Sequence, residues 1–297
     1  MIKTFTAHTY FQIVSLLVLI QALFWLPSCS KPEIIPSYIH IDSIGLTTSP
    51  GVDGSNSHNI SDAWVYVDNQ LVGAFELPAT IPIPYTGNHN LQVLGGIKKN
   101  GSTAEREAYP FYTQWTKAMN LVPESKFSVK PVVAYTSYSH PFVWMENFDS
   151  PGISLIDSIQ SDTILIKDSL NPFEGHYSGS AYLDGKAGKV SGSTHTHFQC
   201  QTTQSFVHNS VSEVVYMEIN YRCNTKFFVG LVNTSDYSAT QFVFFNPTTT
   251  WKKMYVRLSD ALVGVPIGYS YLIYLGMVKD PLLDVSEMHI DNIKLIH

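Results

Sequence analysis

The chain has 297 residues, of which 44% are hydrophobic, 13% are aromatic and only 14% are charged, whereas an average soluble chain carries about 25% charged residues. This composition excludes a disordered protein, which needs low hydrophobicity and high net charge, and 18 Lys and Arg against 24 Asp and Glu exclude a basic nucleic-acid binder. The length corresponds to about two domains of roughly 150 residues each.

Residues 1–28 are predicted to be a signal peptide. Lys3 is their single formal charge, and a nearly uninterrupted apolar run follows from Ile13 to Trp25. A run of about 13 residues is shorter than the roughly 20 that a membrane-spanning helix needs. It has the length of a signal-peptide core.

Leu26, Ser28 and Cys29 follow this run. The order resembles the lipobox of bacterial lipoproteins, which places Leu three residues before an obligatory Cys and a small residue just before it. The resemblance implies cleavage before Cys29 and acylation of its sulfur and amino group, and several acyl chains together anchor a protein firmly. Because residue 30 is Ser rather than Asp, it also implies the outer membrane, facing the periplasm or the cell surface. The alternative is an ordinary signal peptide with an incidental Cys.

Residues 29–37 are predicted to be a tether, since they contain prolines and show no periodicity. Beyond them, short alternating or apolar runs bounded by Gly, Pro, Asn and Asp recur, and no stretch has helical apolar spacing. We therefore predict an all-β chain: a small N-terminal β-sandwich at residues 38–138 and a C-terminal β-jelly roll at residues 142–297.

The first region is centred on residues 62–78. Trp64 and Tyr66 are predicted to point to one face of a strand, and Val65 and Val67 to the other. A turn, a second strand and a later strand with a glycine break complete an order that resembles the PEGA-type β-sandwich of bacterial surface proteins. The resemblance implies a spacer or interaction module without catalytic residues.

Three short motifs characterise the second region. They are an acidic first strand at residues 143–149, a Gly-x-x-Ser-Gly-x-Ala stretch within residues 174–183, and Ile-Asp-Asn-Ile at residues 290–293. Together they resemble a jelly roll of the carbohydrate-binding-module type. The resemblance implies two stacked antiparallel sheets and a glycan-binding function.

Alternating apolar residues between these motifs predict strands with one face in the core. They are Val215, Met217, Ile219, Tyr221 and Cys223 on one strand, and Met254, Val256 and Leu258 on another, with Tyr255 and Arg257 facing outward.

The jelly-roll resemblance also implies a structural calcium ion between the first and last strands. Hard cations prefer several oxygen ligands, including carboxylates. Glu146, Asp149 and Asp291 are the matching positions, and main-chain carbonyls are expected to complete the shell. The alternative is that these acids cap strand ends in water.

Cys200 and Cys223 are the only cysteines besides Cys29. An exported chain is in an oxidising compartment, which makes a disulfide between them a candidate. The alternative is two buried thiols that behave as small hydrophobic side chains.

The sequence contains no H-E-x-x-H, G-x-S-x-G or P-loop motif, and neither late cysteine has C-x-x-C spacing. We therefore predict no catalytic residues and no enzyme activity. Sugar rings stack on exposed aromatic side chains, for which Trp251 and Tyr255 are the candidates. The leading hypothesis is a lipid-anchored surface protein that binds polysaccharide. The alternatives are an assembly subunit of an outer-membrane complex and, less favoured, a glycoside hydrolase with two close carboxylates.

Overall fold

The computed structural model describes residues 7–23, 35–49, 51–139, 142–186 and 194–297. Helix α1, Ala7–Leu23, lies within the predicted signal peptide and has apolar residues on all sides rather than on one face. None of the helices in the described ranges is long and apolar enough to cross a bilayer. Cys29 lies outside the described residues, so its lipidation stays a prediction.

Ten strands and a short 3-10 helix, Ser137–Ser139, form the first β region (residues 36–139). The strands are β1 Ser37–Ile41, β2 Gly45–Leu46, β3 Asp62–Val67, β4 Gln70–Glu76, β5 Ala79–Ile83, β6 Gly87–Lys98, β7 Arg106–Ala108, β8 Trp115–Leu121, β9 Lys126–Val129 and β10 Val132–Val133. They make a β5-β1-β9 sheet, a β10-β2 pair and a β4-β3-β6-β7 sheet in which β8 also pairs with β6.

The β3–β4 hairpin shows how local sequence directs this region. Asp68 and Asn69 at its turn have positive φ angles of 47° and 66°, which two-residue hairpin loops require and which Asp and Asn tolerate. A carboxylate oxygen of Asp68 also accepts a hydrogen bond from the Asn90 backbone N–H at 2.8 Å. On β3, Val65 and Val67 are fully buried and lie on the face opposite Trp64 and Tyr66, and that shared face is what the alternation predicts.

Twelve further strands form the jelly roll (residues 142–297), with two short 3-10 helices at Leu258–Asp260 and Leu262–Gly264. The strands are β11 Trp144–Glu146, β12 Leu155–Asp157, β13 Ile166–Asp168, β14 Ser178–Leu183, β15 His197–Thr202, β16 Phe206–Val207, β17 Tyr216–Cys223, β18 Phe227–Asn233, β19 Ala239–Phe245, β20 Thr248–Arg257, β21 Ser270–Val278 and β22 Ser286–Ile296.

These strands stack as two six-stranded antiparallel sheets. The β22 sheet has the order β13-β14-β22-β17-β20, with β11 also on β22, and the β21 sheet has the order β12-β15-β21-β18-β19, with β16 also on β21. Met217, Ile219 and Val256 of the β22 sheet meet Phe198 and Phe227 of the β21 sheet in the core. The prediction of an all-β, jelly-roll architecture is confirmed.

The two late cysteines are free, buried thiols, so the structure contradicts the candidate disulfide and agrees with the alternative of two buried thiols. Cys200 lies on β15 in the β21 sheet, whereas Cys223 lies on β17 in the β22 sheet. Both pack into the jelly-roll core as small hydrophobic side chains. Burial raises the pKa of the Cys223 thiol to about 11 and favours its protonated form.

The first β region packs onto part of the outer face of the β22 sheet. The Tyr109 ring lies 5.1 Å from the ring of Tyr216 on β17 and 4.9 Å from that of Tyr255 on β20, between centroids. These three tyrosines share one apolar cluster with Phe111 and Tyr112. From Pro36 to His297 the chain forms one compact unit.

A buried charge network crosses the same contact. Glu218 of β17 and Lys253 of β20 form an ion pair of 2.8 Å, with side chains almost fully buried. The hydroxyls of Tyr109 and Tyr135 each donate to a Glu218 oxygen at 2.8 Å. Lys294 of β22 donates to the Tyr135 hydroxyl at 3.2 Å. Each buried charge thus has a partner, as low-dielectric surroundings demand.

Candidate functional site

Part of the outer face of the β22 sheet is left open by the first β region. Ser180, His289 and Arg222 are cross-strand neighbours on β14, β22 and β17. They alternate with core residues and so point outward, but Ser180 and His289 are only 0% and 3% exposed, and the rings of Tyr182 and Trp251 lie against His289. Together with Tyr182, Glu287 and Trp251, these residues are called the open half-face below.

Trp251 is half-buried and is fixed from several sides. Its indole N–H donates to the Asn171 carbonyl at 3.2 Å, and Phe173 meets it edge-on with a centroid distance of 5.7 Å. The guanidinium carbon of Arg222 lies 5.7 Å from the centre of the indole ring. The indole is therefore a positioned, partly exposed aromatic side chain.

His289 and Arg222 place polar atoms beside the indole that are not used internally. His289 Nδ1 is 2.7 Å from the Ser180 hydroxyl, whereas its buried Nε2 has no hydrogen-bond partner and lies 3.7 Å from Glu287. Burial and then the charge of Arg222 lower the pKa of His289, which favours the neutral ring. The buried Arg222 Nε also lacks a hydrogen-bond partner.

Tyr182 and Asp168 support one edge of the open half-face. The Tyr182 hydroxyl donates to Asp168 Oδ2 at 2.5 Å, while Asp168 Oδ1 accepts the Leu170 N–H at 2.7 Å. Burial and then the hydrogen bond to Asp168 raise the pKa of Tyr182 to about 12. These bonds fix the start of the loop that continues to Asn171 beside Trp251.

A groove of about 640 Å³ adjoins the open half-face. Arg222 and Glu287 line one side, and Lys252 and residues 248–250 line the other. The register of β17 on β20 shifts between Tyr221 and Cys223, which interrupts the regular pairing at this point. A ligand in the groove would meet hydroxyls and charged side chains, and the indole of Trp251 lies outside the groove's lining.

Tyr255 was expected to form the aromatic platform with Trp251, and this expectation is wrong. Tyr255 does point away from the jelly-roll core, but it is only 1% exposed because the first β region covers it. Its hydroxyl lies 3.0 Å from that of Tyr112 and accepts the Asn59 N–H at 3.0 Å. Burial raises its pKa.

Glu146, the first predicted calcium ligand, is engaged by backbone and hydroxyl donors. One oxygen accepts the Phe148 N–H at 2.7 Å, and the other accepts the N–H and the hydroxyl of Ser154, each at 2.6 Å. Glu146 is 5% exposed. Its carboxylate therefore closes the turn after β11.

Asp149 and Asp291, the other two predicted ligands, both hold the loop between β13 and β14. Asp149 accepts the His176 N–H at 2.8 Å, and Asp291 accepts the Glu174 N–H at 3.3 Å. In the described part of the chain, no three His, Cys, Asp or Glu side chains are grouped to hold a metal. Calcium binding at these acids stays a prediction.

The outer face of the β21 sheet offers a second aromatic surface. The rings of Phe228 and Tyr274 lie against Gly276 and Gly230, where an added Cβ would collide with them. Both rings are buried, whereas Phe244 is 55% exposed beside a groove of about 530 Å³. Among the described residues, no buried donor without a hydrogen-bond partner borders this groove, in contrast to the open half-face.

Sequence reasoning identified Trp251 but missed Arg222, His289 and Phe173. The alternation along β17 does put Arg222 on the face opposite Tyr221 and Cys223. Its neighbours, however, come from β14 and β22, more than 35 residues away in either direction, and short motifs carry no information on that pairing.

No protein-family model and no curated protein sequence matches the chain, but solved structures do. A variant of a family 29 carbohydrate-binding module is 11% identical, with 52% of this chain and 88% of that chain covered and a TM-score of 0.32. A family 61 module in complex with β-1,4-galactotriose is 16% identical, with coverages of 48% and 85% and a TM-score of 0.30. A family 29 module with mannohexaose is 9% identical, with coverages of 51% and 88% and a TM-score of 0.33.

Proposed function

We propose that the chain is a non-catalytic glycan-binding protein that is anchored to the outer membrane through lipid on Cys29, and that the open half-face binds the glycan. One observation carries the binding role: Trp251 is held partly exposed beside polar atoms that the protein does not use internally. The apolar C–H face of a sugar ring would stack on the indole, and its hydroxyls would reach Arg222 and Glu287.

Asp168, the acid that supports one edge of the open half-face, does not have the properties of a proton donor. Its carboxylate is committed to Tyr182 and Leu170. Burial opposes its ionisation, but these hydrogen bonds outweigh burial and lower its pKa. A proton donor for glycoside cleavage needs a raised pKa instead.

The binding proposal is tested by glycan arrays and affinity electrophoresis with Trp251→Ala and a matched control, Phe244→Ala, which removes an exposed aromatic ring from the other sheet. We expect the protein to bind at least one polysaccharide. Trp251→Ala should weaken binding about tenfold or more, which is about 1.4 kcal/mol, and Phe244→Ala should leave it unchanged. Absence of binding to any polysaccharide contradicts the function, and a loss confined to Phe244→Ala contradicts the site.

The anchor is tested separately by metabolic labelling with palmitate in a bacterial host. The unaltered chain should carry the label and fractionate with outer membranes, because the thiol of Cys29 is the proposed acceptor. Cys29→Ala should carry none, whereas Cys223→Ala, a control that removes a buried thiol, should keep the label. Label retained on Cys29→Ala rules out this anchor.

A protein-interaction role is the second candidate, and the exposed Phe244 beside its groove favours it. Cross-linking in intact outer membranes would then identify a partner whose contact is lost in Phe244→Ala and kept in Trp251→Ala. That result, together with no glycan binding, would replace the first proposal.

A further inference from the structure

Arg222 differs from the other two arginines of the chain. Arg106 contacts carboxylate oxygens of Asp62 and Glu76 at 2.5 and 3.0 Å. Arg257 contacts Glu107 and Asp260 at 3.1 and 3.5 Å. In the part of the chain that the structure describes, Arg222 has no carboxylate within 4 Å.

The missing partner is notable because Arg222 is not simply solvated. Its Nε is buried without a hydrogen bond, and its guanidinium lies over the Trp251 ring. More than 90% of buried polar groups in proteins are satisfied, and a buried donor left unpaired costs about 1–3 kcal/mol. Arg257 Nε shares this property, so the feature particular to Arg222 is a guanidinium charge without a carboxylate, which a bound carboxylate would compensate.

Glu287, the acidic side chain that lines the same groove as Arg222, forms no ion pair with Arg222. Glu287 lies 3.7 Å from His289 Nε2 and accepts no hydrogen bond from Arg222. Across the groove, Lys252 is exposed and also has no ion pair among the described residues. The groove thus presents two positive charges, Arg222 and Lys252, against the single negative charge of Glu287, in a chain whose formal net charge is −6.

We propose that the ligand of the open half-face is an acidic glycan with uronic-acid residues. This inference rests on the proposed glycan-binding function and names the class of glycan. The sugar ring lies on Trp251, and its carboxylate accepts hydrogen bonds from Arg222, whose planar guanidinium matches a carboxylate in a two-point geometry.

The charge of the whole protein makes this attraction specific. A chain with net charge −6 repels polyanions in general, and that repulsion weakens with salt. A polyuronate must therefore bind through the local arrangement at Arg222 and Trp251, whereas polyanions without sugar rings have nothing to stack on the indole.

The test uses isothermal titration of the full mature chain with polygalacturonate and alginate, each paired with its carboxyl-reduced, neutral form. We expect at least one of the acidic polymers to bind about tenfold or more tightly than its reduced form. Arg222→Gln should abolish this preference, Arg222→Lys should restore part of it, and Trp251→Ala should weaken both forms. Lys226→Gln, which removes an exposed charge elsewhere, is the matched control and should change nothing.

The other outcomes separate the two proposals. Equal binding of acidic and reduced forms, unchanged by Arg222→Gln, overturns the acidic class and leaves glycan binding standing. No binding of any glycan overturns both. Binding of polyglutamate as tight as that of polyuronate, insensitive to Trp251→Ala, overturns recognition of a sugar. Preference for dextran sulfate over both polyuronates overturns the carboxylate assignment.

Discussion

Burial and hydrogen bonding act in opposite directions on the Asp291 carboxyl group. The residue is 1% exposed, and burial raises its pKa from an ordinary value of 3.8 to about 7, although the N–H groups of Asn292 and Glu174 partly oppose the rise. Because the folded-state pKa lies above the unfolded one, this group stabilises the fold at low pH. The contribution is lost as the pH rises through about 7.

Asp291→Asn should remove this pH dependence. Relative to the unaltered chain, the variant should gain free energy of unfolding between pH 5 and pH 8.5, measured by urea denaturation at a series of pH values in the presence of a chelator. Calcium bound at Asp291 would stabilise the ionised carboxylate, so added calcium should flatten the difference if the predicted site exists. A difference that is constant across pH contradicts the raised pKa.

At the scale of an element, the loop between β13 and β14 connects two parts of the molecule. Its backbone N–H groups bind Asp149 and Asp291, while Asn171 and Phe173 contact the Trp251 ring. Two of the three acids predicted as calcium ligands thus position the loop that positions the indole. Any change that loosens this loop should also affect binding at the open half-face.

Gly175→Ala tests this coupling. Gly175 has a φ of +67° and its Cα faces the Asp149 carboxylate, so a Cβ would be strained and would collide with it. We expect the free energy of unfolding, measured by urea denaturation, to fall by about 1 kcal/mol or more. Glycan affinity, measured by isothermal titration, should fall with it. Gly152→Ala, with no atom within 4 Å of the added Cβ and no positive φ, is the control. If glycan affinity is unchanged in a destabilised Gly175→Ala protein, the loop does not position the binding site.

At the scale of the whole molecule, the Glu218 network joins the two β regions. Burial alone would raise the pKa of Glu218, but Lys253 and Lys294 outweigh it and lower the pKa. Burial and the nearby Lys253 lower the pKa of Lys294 to about 8. The Glu218 carboxylate therefore interacts electrostatically with two buried amines and accepts hydrogen bonds from two tyrosine hydroxyls.

Glu218→Gln should be strongly destabilising, because it leaves Lys253 and Lys294 buried without their acid. Breaking a buried pair from one side costs about 3–5 kcal/mol, whereas Glu76→Gln, at an exposed ion pair, should change the free energy of unfolding far less. Urea unfolding followed by fluorescence and circular dichroism should show one transition for both regions. Two separate transitions, or equal stability of the two variants, would contradict the joining role.

Much of the fold can be predicted from the sequence because alternation is a local property. The apolar residues of β17 and β20 identify the buried face of each strand, and Val65 and Val67 do so for β3, without any knowledge of the partner strands. The apolar run before Cys29 is likewise read from neighbouring residues alone.

The candidate site depends on which other segments of the chain pack against each face of the sheet, and only the tertiary structure decides that. Trp251 and Tyr255 are four residues apart on β20 and are both predicted to face outward, yet the first β region buries Tyr255 and leaves Trp251 partly exposed. Cys200 and Cys223 likewise belong to opposite sheets. Alternation states which face a side chain takes, whereas its neighbours are set by packing between segments that are distant along the chain.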